Sequence, residues 1–254
     1  IDTHDGWIDP SYAEESQLDP IRVSNPLSEF MTLKEASGAT KGEPTFGKEQ
    51  IKLLDKRLAQ RLNEVDLSLQ SLFAYLDKSG LASTTAVLLC ADHGFQYTGR
   101  GRPLLSDTRV NVPLLIKHPK FEGEDIKSLV NLGLDIGPTI SQILNVDFPT
   151  KEGKVLSPIG NSKPRDRVII ESIFGDRYKV CIRTEKYVFH QHVKYNRETH
   201  TIDMGSEIEV FLFVVGNEEL NHDLTNSKPE VVAEMRTYVI EHLNKSADEI
   251  LLFP

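Results

Sequence analysis

The chain has 254 residues, a formal net charge of −9, and hydrophobic and charged contents of 39% and 26%. This composition is ordinary for a globular protein and excludes a wholly disordered one. The acidic balance disfavours nonspecific nucleic-acid binding, which needs clustered Lys and Arg, and no apolar run approaches the roughly 18–20 residues that span a bilayer.

The length suggests one or two domains. The two cysteines, Cys90 and Cys181, sit in apolar, strand-like segments and read as small buried hydrophobes rather than a disulfide framework. The first residue is Ile1, without a signal-like region after it, and Ile1-Asp2-Thr3-His4 reads as the continuation of something longer.

In chain order, residues 1–47 show no persistent period and are punctuated by Pro10, Pro20, Pro26 and Pro44, which predicts a long surface loop. From Lys48 to Lys78 the apolar residues Ile51, Leu54, Leu58, Leu62, Val65, Leu69, Leu72, Phe73 and Leu76 recur at steps of three and four, which predicts an amphipathic helix with one buried stripe. Gly80 is placed to stop it.

Thr84 to Gly94 follows. Its continuous apolar run, Ala86 through Ala91, predicts a parallel strand covered on both faces. Ligands of open α/β sheets lie beyond the carboxyl ends of strands, where Asp92 and His93 would emerge. Their oxygen and nitrogen atoms are metal-ligand atoms, and Gly94 would let the chain bend sharply. The plainer reading is that both residues cap the turn after the strand.

Beyond it, Arg100 and Arg102 lie in a Gly-rich loop, where arginine forks suit sulfate or phosphate oxygens and a solvated basic turn is the alternative. Residues 110–117 read as a strand. Asp125 to Asn145 reads as helical segments, with Pro138 in a first turn. A composition shift at residues 158–164 marks a boundary between a unit at 1–158 and one at 159–254. Strands are expected at 167–173, 178–183, 187–193 and 207–215, with turns at Gly175 and Asn196. A helix from Pro229 to Leu243 follows, striped by Val232, Met235, Val239 and Leu243. The fold class is therefore α/β: a mixed or parallel sheet with flanking helices, then a small α+β subdomain with an antiparallel sheet. His190 and His192 alternate on one strand face and could pair on a metal, or serve a structural role.

The order of motifs resembles the C-terminal half of a sulfatase, in the alkaline-phosphatase-like superfamily. The resemblance is carried by Ile1 to Trp7 with its Asp-x-His, by Thr84 to Gly94, by Val112-Pro113-Leu114-Leu115-Ile116, and by Asp135-Ile136-Gly137-Pro138-Thr139. Glu209-Val210-Phe211-Leu212 with Asn217-Glu218-Glu219 closes it.

The resemblance implies that Asp92 and His93 are metal ligands. The ion is usually calcium in sulfatases, and zinc or manganese in phosphate-handling relatives. It implies that His4 contacts the substrate's sulfate or leaving oxygen and that Arg102, or its competitor Arg100, neutralises the transferring group. The partner would be a small-molecule or saccharide sulfate or phosphate ester. The family's Cys/Ser-x-Pro/Ala-x-Arg nucleophile motif does not occur in the 254 residues, nor do its paired N-terminal aspartates. The chain is therefore expected to carry part of an active site, to be inactive alone, and to partner the missing N-terminal half. Two alternatives stand beside the sulfatase reading: a phosphonate or phosphodiester hydrolase or phosphoethanolamine transferase of the same superfamily, and a non-catalytic binding module.

Overall fold

A 31-residue helix, α1 (Lys48–Lys78), opens the part of the chain that the computed structural model describes, residues 48–94, 105–123, 125–218 and 222–250. The loop expected over 1–47 lies outside them. The described chain gathers into two compact units, one holding 48–90 and 114–119, the other holding 91–94, 105–113 and the described residues from 120 onward.

In the first unit, α1 stops where its glycine allows. The Ser79 N–H reaches the Tyr75 carbonyl at 2.9 Å, the Gly80 N–H reaches Asp77 at 3.1 Å, and Gly80 takes φ 75. That left-handed conformation is the glycine-favoured end of a helix. Leu58, Val65, Leu69 and Phe73 are half-buried and Leu76 is buried. Leu62 and Leu72, expected in the same stripe, instead stand exposed. Helix α1 is about 46 Å long, whereas the strands β1 (Val87–Cys90) and β2 (Leu114–Lys117) each extend for about 13 Å. The Lys117 ammonium lies 4.6 Å above the Phe73 ring.

β1 pairs with β2 antiparallel, Val87 opposite Lys117 and Cys90 opposite Leu114. The expected parallel strand, covered on both faces, is thus corrected to a half-buried antiparallel one. Cys90, expected to be buried, is exposed. Among the described residues this sheet has two strands, and a two-stranded ribbon cannot enclose either of them.

The second unit begins its regular structure with a short turn, α2 (Asp107–Val110), which ends at Val110, the residue expected to start the strand that instead begins at Leu114. Helix α3 (Leu132–Leu144) follows, so residues 125–131 are not helical and Leu129 instead bridges to Arg165. Pro138 lies inside α3 rather than in its first turn. It has no N–H to give the Leu134 carbonyl, and Gly153 packs directly against that carbonyl, where a side chain would collide.

Asp135 ties α3 to the chain beyond it. It is 1% exposed and accepts the N–H groups of Asn131 and Lys154, each at 2.9 Å, and Arg165 Nε at 3.0 Å. A second Arg165 bond, from Nη2, makes the pair bidentate. Burial opposes its ionisation. The Arg165 hydrogen bond and the two backbone N–H groups outweigh burial and hold the carboxyl below its usual range.

The rest of this unit is a five-stranded antiparallel sheet of β3 (Arg167–Phe174), β4 (Arg177–Thr184), β5 (Tyr187–Asn196), β6 (Thr201–Asp203) and β7 (Glu209–Val214). The order is β3-β4-β5-β6, and β7 also pairs with β5. Gly175, at φ 64, turns the β3–β4 hairpin in two residues. The short β6 had no counterpart among the expected strands. Helix α4 (Pro229–Ile250) lays Val232, Met235 and Val239 on Tyr178, Val180, Ile182, Phe189, Val193 and Leu212. The mixed α/β class, with antiparallel sheets and helices, is the one expected.

At one end of this core the Tyr178 hydroxyl donates to Glu171, and His242 Nε2 lies 2.8 Å from the other Glu171 oxygen. The His242 bond pulls the Glu171 carboxyl down, and the Glu171 bond raises the His242 pKa. A raised imidazole stabilises fully below its unfolded value and loses that effect as pH climbs through the folded value. A depressed carboxyl stabilises above its unfolded value and loses the effect as pH falls. The pair is therefore fully effective between about pH 4.3 and 6.5.

Two outcomes follow. Asp135→Ala strands the Arg165 guanidinium, which is 12% exposed; it is expected to cost about 3 kcal/mol in urea unfolding, and a loss below about 1 kcal/mol would contradict the buried-pair account. The stability gap between wild type and His242→Ala, read from urea midpoints, is expected to shrink from pH 6 to pH 9; a gap constant over that range would contradict the pairing.

Candidate functional site

Asp92 and His93 follow β1 in the chain, separated from its end by one residue. Their side chains are 83% and 36% exposed, so neither is buried among hydrocarbon. The His93 N–H donates to Asp92 Oδ1 at 2.9 Å. Asp92 Oδ2 then lies 3.7 Å from His93 Nε2.

The other ring nitrogen settles the tautomer. His93 Nδ1 is 2.9 Å from the Gly94 carbonyl oxygen. A carbonyl can only accept, so Nδ1 carries a proton, and in a neutral ring Nε2 would keep its lone pair. At 3.7 Å the two atoms are too far apart for a hydrogen bond, and a protonated ring would form an ion pair with the carboxylate. A cation bound at the ordinary ligand distances of about 2.0–2.6 Å can join them. This donor set fits a divalent metal ion. Two protein ligands do not complete a shell, and among the described residues no group of three or more His, Cys, Asp or Glu is placed to hold a metal. Further ligands would come from beyond the described residues or from water.

Gly94 fixes where this pair can be. Its N–H donates to the Arg109 carbonyl of α2 at 2.6 Å. A methyl group on its α-carbon would collide with the Thr108 carbonyl. The glycine was read from sequence as a sharp bend, but it is not among the left-handed glycines. Its role is close approach of two backbones. Residues 107–110, Asp-Thr-Arg-Val, carry no apolar period that would have announced α2.

The other expected site residues, His4, Arg102 and its competitor Arg100, lie outside the described residues. His190 and His192 are buried in β5 at 0% and 1% exposure. His192 Nδ1 pairs with Glu209 at 2.9 Å. Burial pushes its pKa down, against the pull of Glu209. The two histidines lie beside different acids, Glu218 and Glu209.

Gly94→Ala is expected to lower stability by about 1–3 kcal/mol through this backbone collision, measured by urea unfolding. A variant as stable as wild type would show that α2 can move away without cost.

Residues 4–146, more than half of the chain, match the family model described as Sulfatase. The chain is 28% identical over 134 residues to the extracellular sulfatase SULF-1 homolog of Drosophila melanogaster, covering 47% of this chain and 12% of that protein. It is 27% identical over 181 residues to the multifunctional alkaline phosphatase superfamily protein PehA of Trinickia caryophylli, covering 61% of this chain and 34% of that protein. These matches thus span a minor part of both relatives.

Proposed function

The chain belongs to the sulfatase family, and from that premise we propose that Asp92 and His93 are two ligands of a divalent cation in a hydrolase of sulfate esters. Members of this family and its superfamily generally use divalent metals. Calcium is the ion that the sulfatase resemblance implies. The observation that carries the reading is local: His93 Nδ1 is bonded to the Gly94 carbonyl, and Nε2 stands 3.7 Å from Asp92 Oδ2.

In this reading each residue has a distinct task. Asp92 supplies anionic oxygen and His93 a neutral nitrogen, and the backbone bond to Gly94 fixes the ring's orientation. Bound there, a divalent ion supplies a Lewis acid for a nonbridging oxygen of the ester. Arg102 stabilises the charge that develops on the transferring group. His4 protonates the leaving oxygen. The nucleophile is supplied by residues outside these 254.

A second reading has its own support. The match to the alkaline phosphatase superfamily protein covers the larger share of this chain, 61% against 47%. It supports membership of the wider alkaline phosphatase superfamily, within which phosphonate or phosphodiester chemistry on the same two ligands is the alternative.

Assay of the complete protein with an aryl sulfate and an aryl phosphonate separates the two. Faster turnover of the sulfate is the expected result, and a clear preference for the phosphonate would overturn the sulfatase reading. Asp92→Ala and His93→Ala are each expected to lower kcat/KM by at least about 100-fold; wild-type rates in either variant would refute the ligand assignment.

A further inference from the structure

Glu218 lies in the chain just after β7 and is 1% exposed. A carboxylate so buried is costly unless its oxygens find partners. Both oxygens accept the N–H of Asp107, the first residue of α2, at 3.3 and 3.1 Å. Arg183 of β4 holds Nη1 3.9 Å from Glu218 Oε1 and pairs with the Asp107 carboxylate. His190 of β5 sets Nε2 3.4 Å from Glu218 Oε2. Burial pulls the Arg183 pKa down and Glu218 opposes it, while burial and then Glu218 push the Cys181 thiol up. None of these groups has a task in the chemistry proposed above.

Their common product is the seating of α2 on the sheet. The turn is short and internally bonded: Val110 N–H reaches Ser106 at 3.1 Å and Asn111 N–H reaches Asp107 at 2.9 Å. What seats Asp107 therefore also seats Thr108 and Arg109. Those two carbonyls are the ones against which Gly94 is held, and the carbonyl of Gly94 holds the His93 ring. The contacts run without a break from Glu218 to the imidazole.

We propose that Glu218 is a positioning residue for the Asp92–His93 pair, acting through the α2 turn. Its value for catalysis rests on the reading of that pair as cation ligands; the positioning itself does not. Glu218→Ala removes both acceptor oxygens, and Glu218→Gln keeps one.

The test uses metal-free protein. In Glu218→Ala the Gly94 amide is expected to exchange hydrogen at least about tenfold faster, while the amides of Val180 and Val239 in the sheet–helix core keep their protection. The ring nitrogen shifts of His93 are expected to leave the Nδ1-protonated pattern for a tautomer mixture, with those of His242 unmoved. Glu218→Gln is expected to show both changes at smaller size, and it carries the test if the alanine variant does not fold. Unchanged Gly94 exchange with unchanged His93 shifts would overturn the proposal, as would deprotection spread equally over Val180 and Val239. Calorimetric titration with Mn²⁺ then adds a separate arm, with binding expected to weaken about tenfold in Glu218→Ala. Wild-type protein that binds no Mn²⁺, while Gly94 still responds to Glu218, would refute the cation reading and leave the positioning intact.

Discussion

The bond from the Gly94 N–H to the Arg109 carbonyl, 2.6 Å long, is the constraint on which the site depends. It fastens the residue after His93 to a turn that belongs to the larger unit of the chain. Because Gly94 has no side chain, the two backbones approach without a collision at Thr108. Gly94 then does two jobs at once: its N–H holds it to α2 and its carbonyl accepts from His93 Nδ1. An exposed Asp-His dipeptide on an unrestrained loop would sample many arrangements, and ordering it on a ligand would cost conformational entropy. Here part of that ordering is already done by backbone hydrogen bonds.

The sheet of the larger unit explains how such a turn can be anchored. Alternation places Tyr178, Val180 and Ile182 of β4 on the face that receives α4, and it places Lys179, Cys181 and Arg183 on the opposite face. Both faces are buried. The first is stabilised by apolar burial against Val232, Met235 and Val239. The second carries polar and charged groups, among them His192 paired with Glu209, and Arg183 with Asp107 near Glu218. A buried ion pair contributes little net stability against its desolvation. What it does contribute is geometry, since the partners must meet at particular places. That the geometry-fixing face is also the one that holds α2 gives this polar cluster a reason to exist.

Much of this was legible in the residues. The three-and-four spacing from about Lys48 to Lys78 and the glycine at position 80 marked α1, because helix period and C-terminal glycine are local signals. The alternation and turns of β3, β4, β5 and β7, and the stripe of α4, were readable for the same reason. The pairing of β1 was not. A short apolar run records that a strand meets other apolar surface, not which strand lies beside it or in what direction, so Cys90 was wrongly placed inside. Pro138 was assigned to a helix start on its own preference, whereas Gly153, fifteen residues later, accommodates it mid-helix. Glu218 and Asp107 are 111 residues apart and have no shared period or motif. The dipeptide Asp92-His93 could be picked out as a ligand pair, but the reason its glycine is needed could not.

The central claim is that Asp92 and His93 share one divalent cation. Crystals of the complete protein grown with Mn²⁺, with data collected at the manganese absorption edge, test it most directly. The account expects an anomalous peak within about 2.0–2.6 Å of both Asp92 Oδ2 and His93 Nε2. A peak bound elsewhere, with His93 Nε2 donating a proton to a neighbouring acceptor, would contradict it.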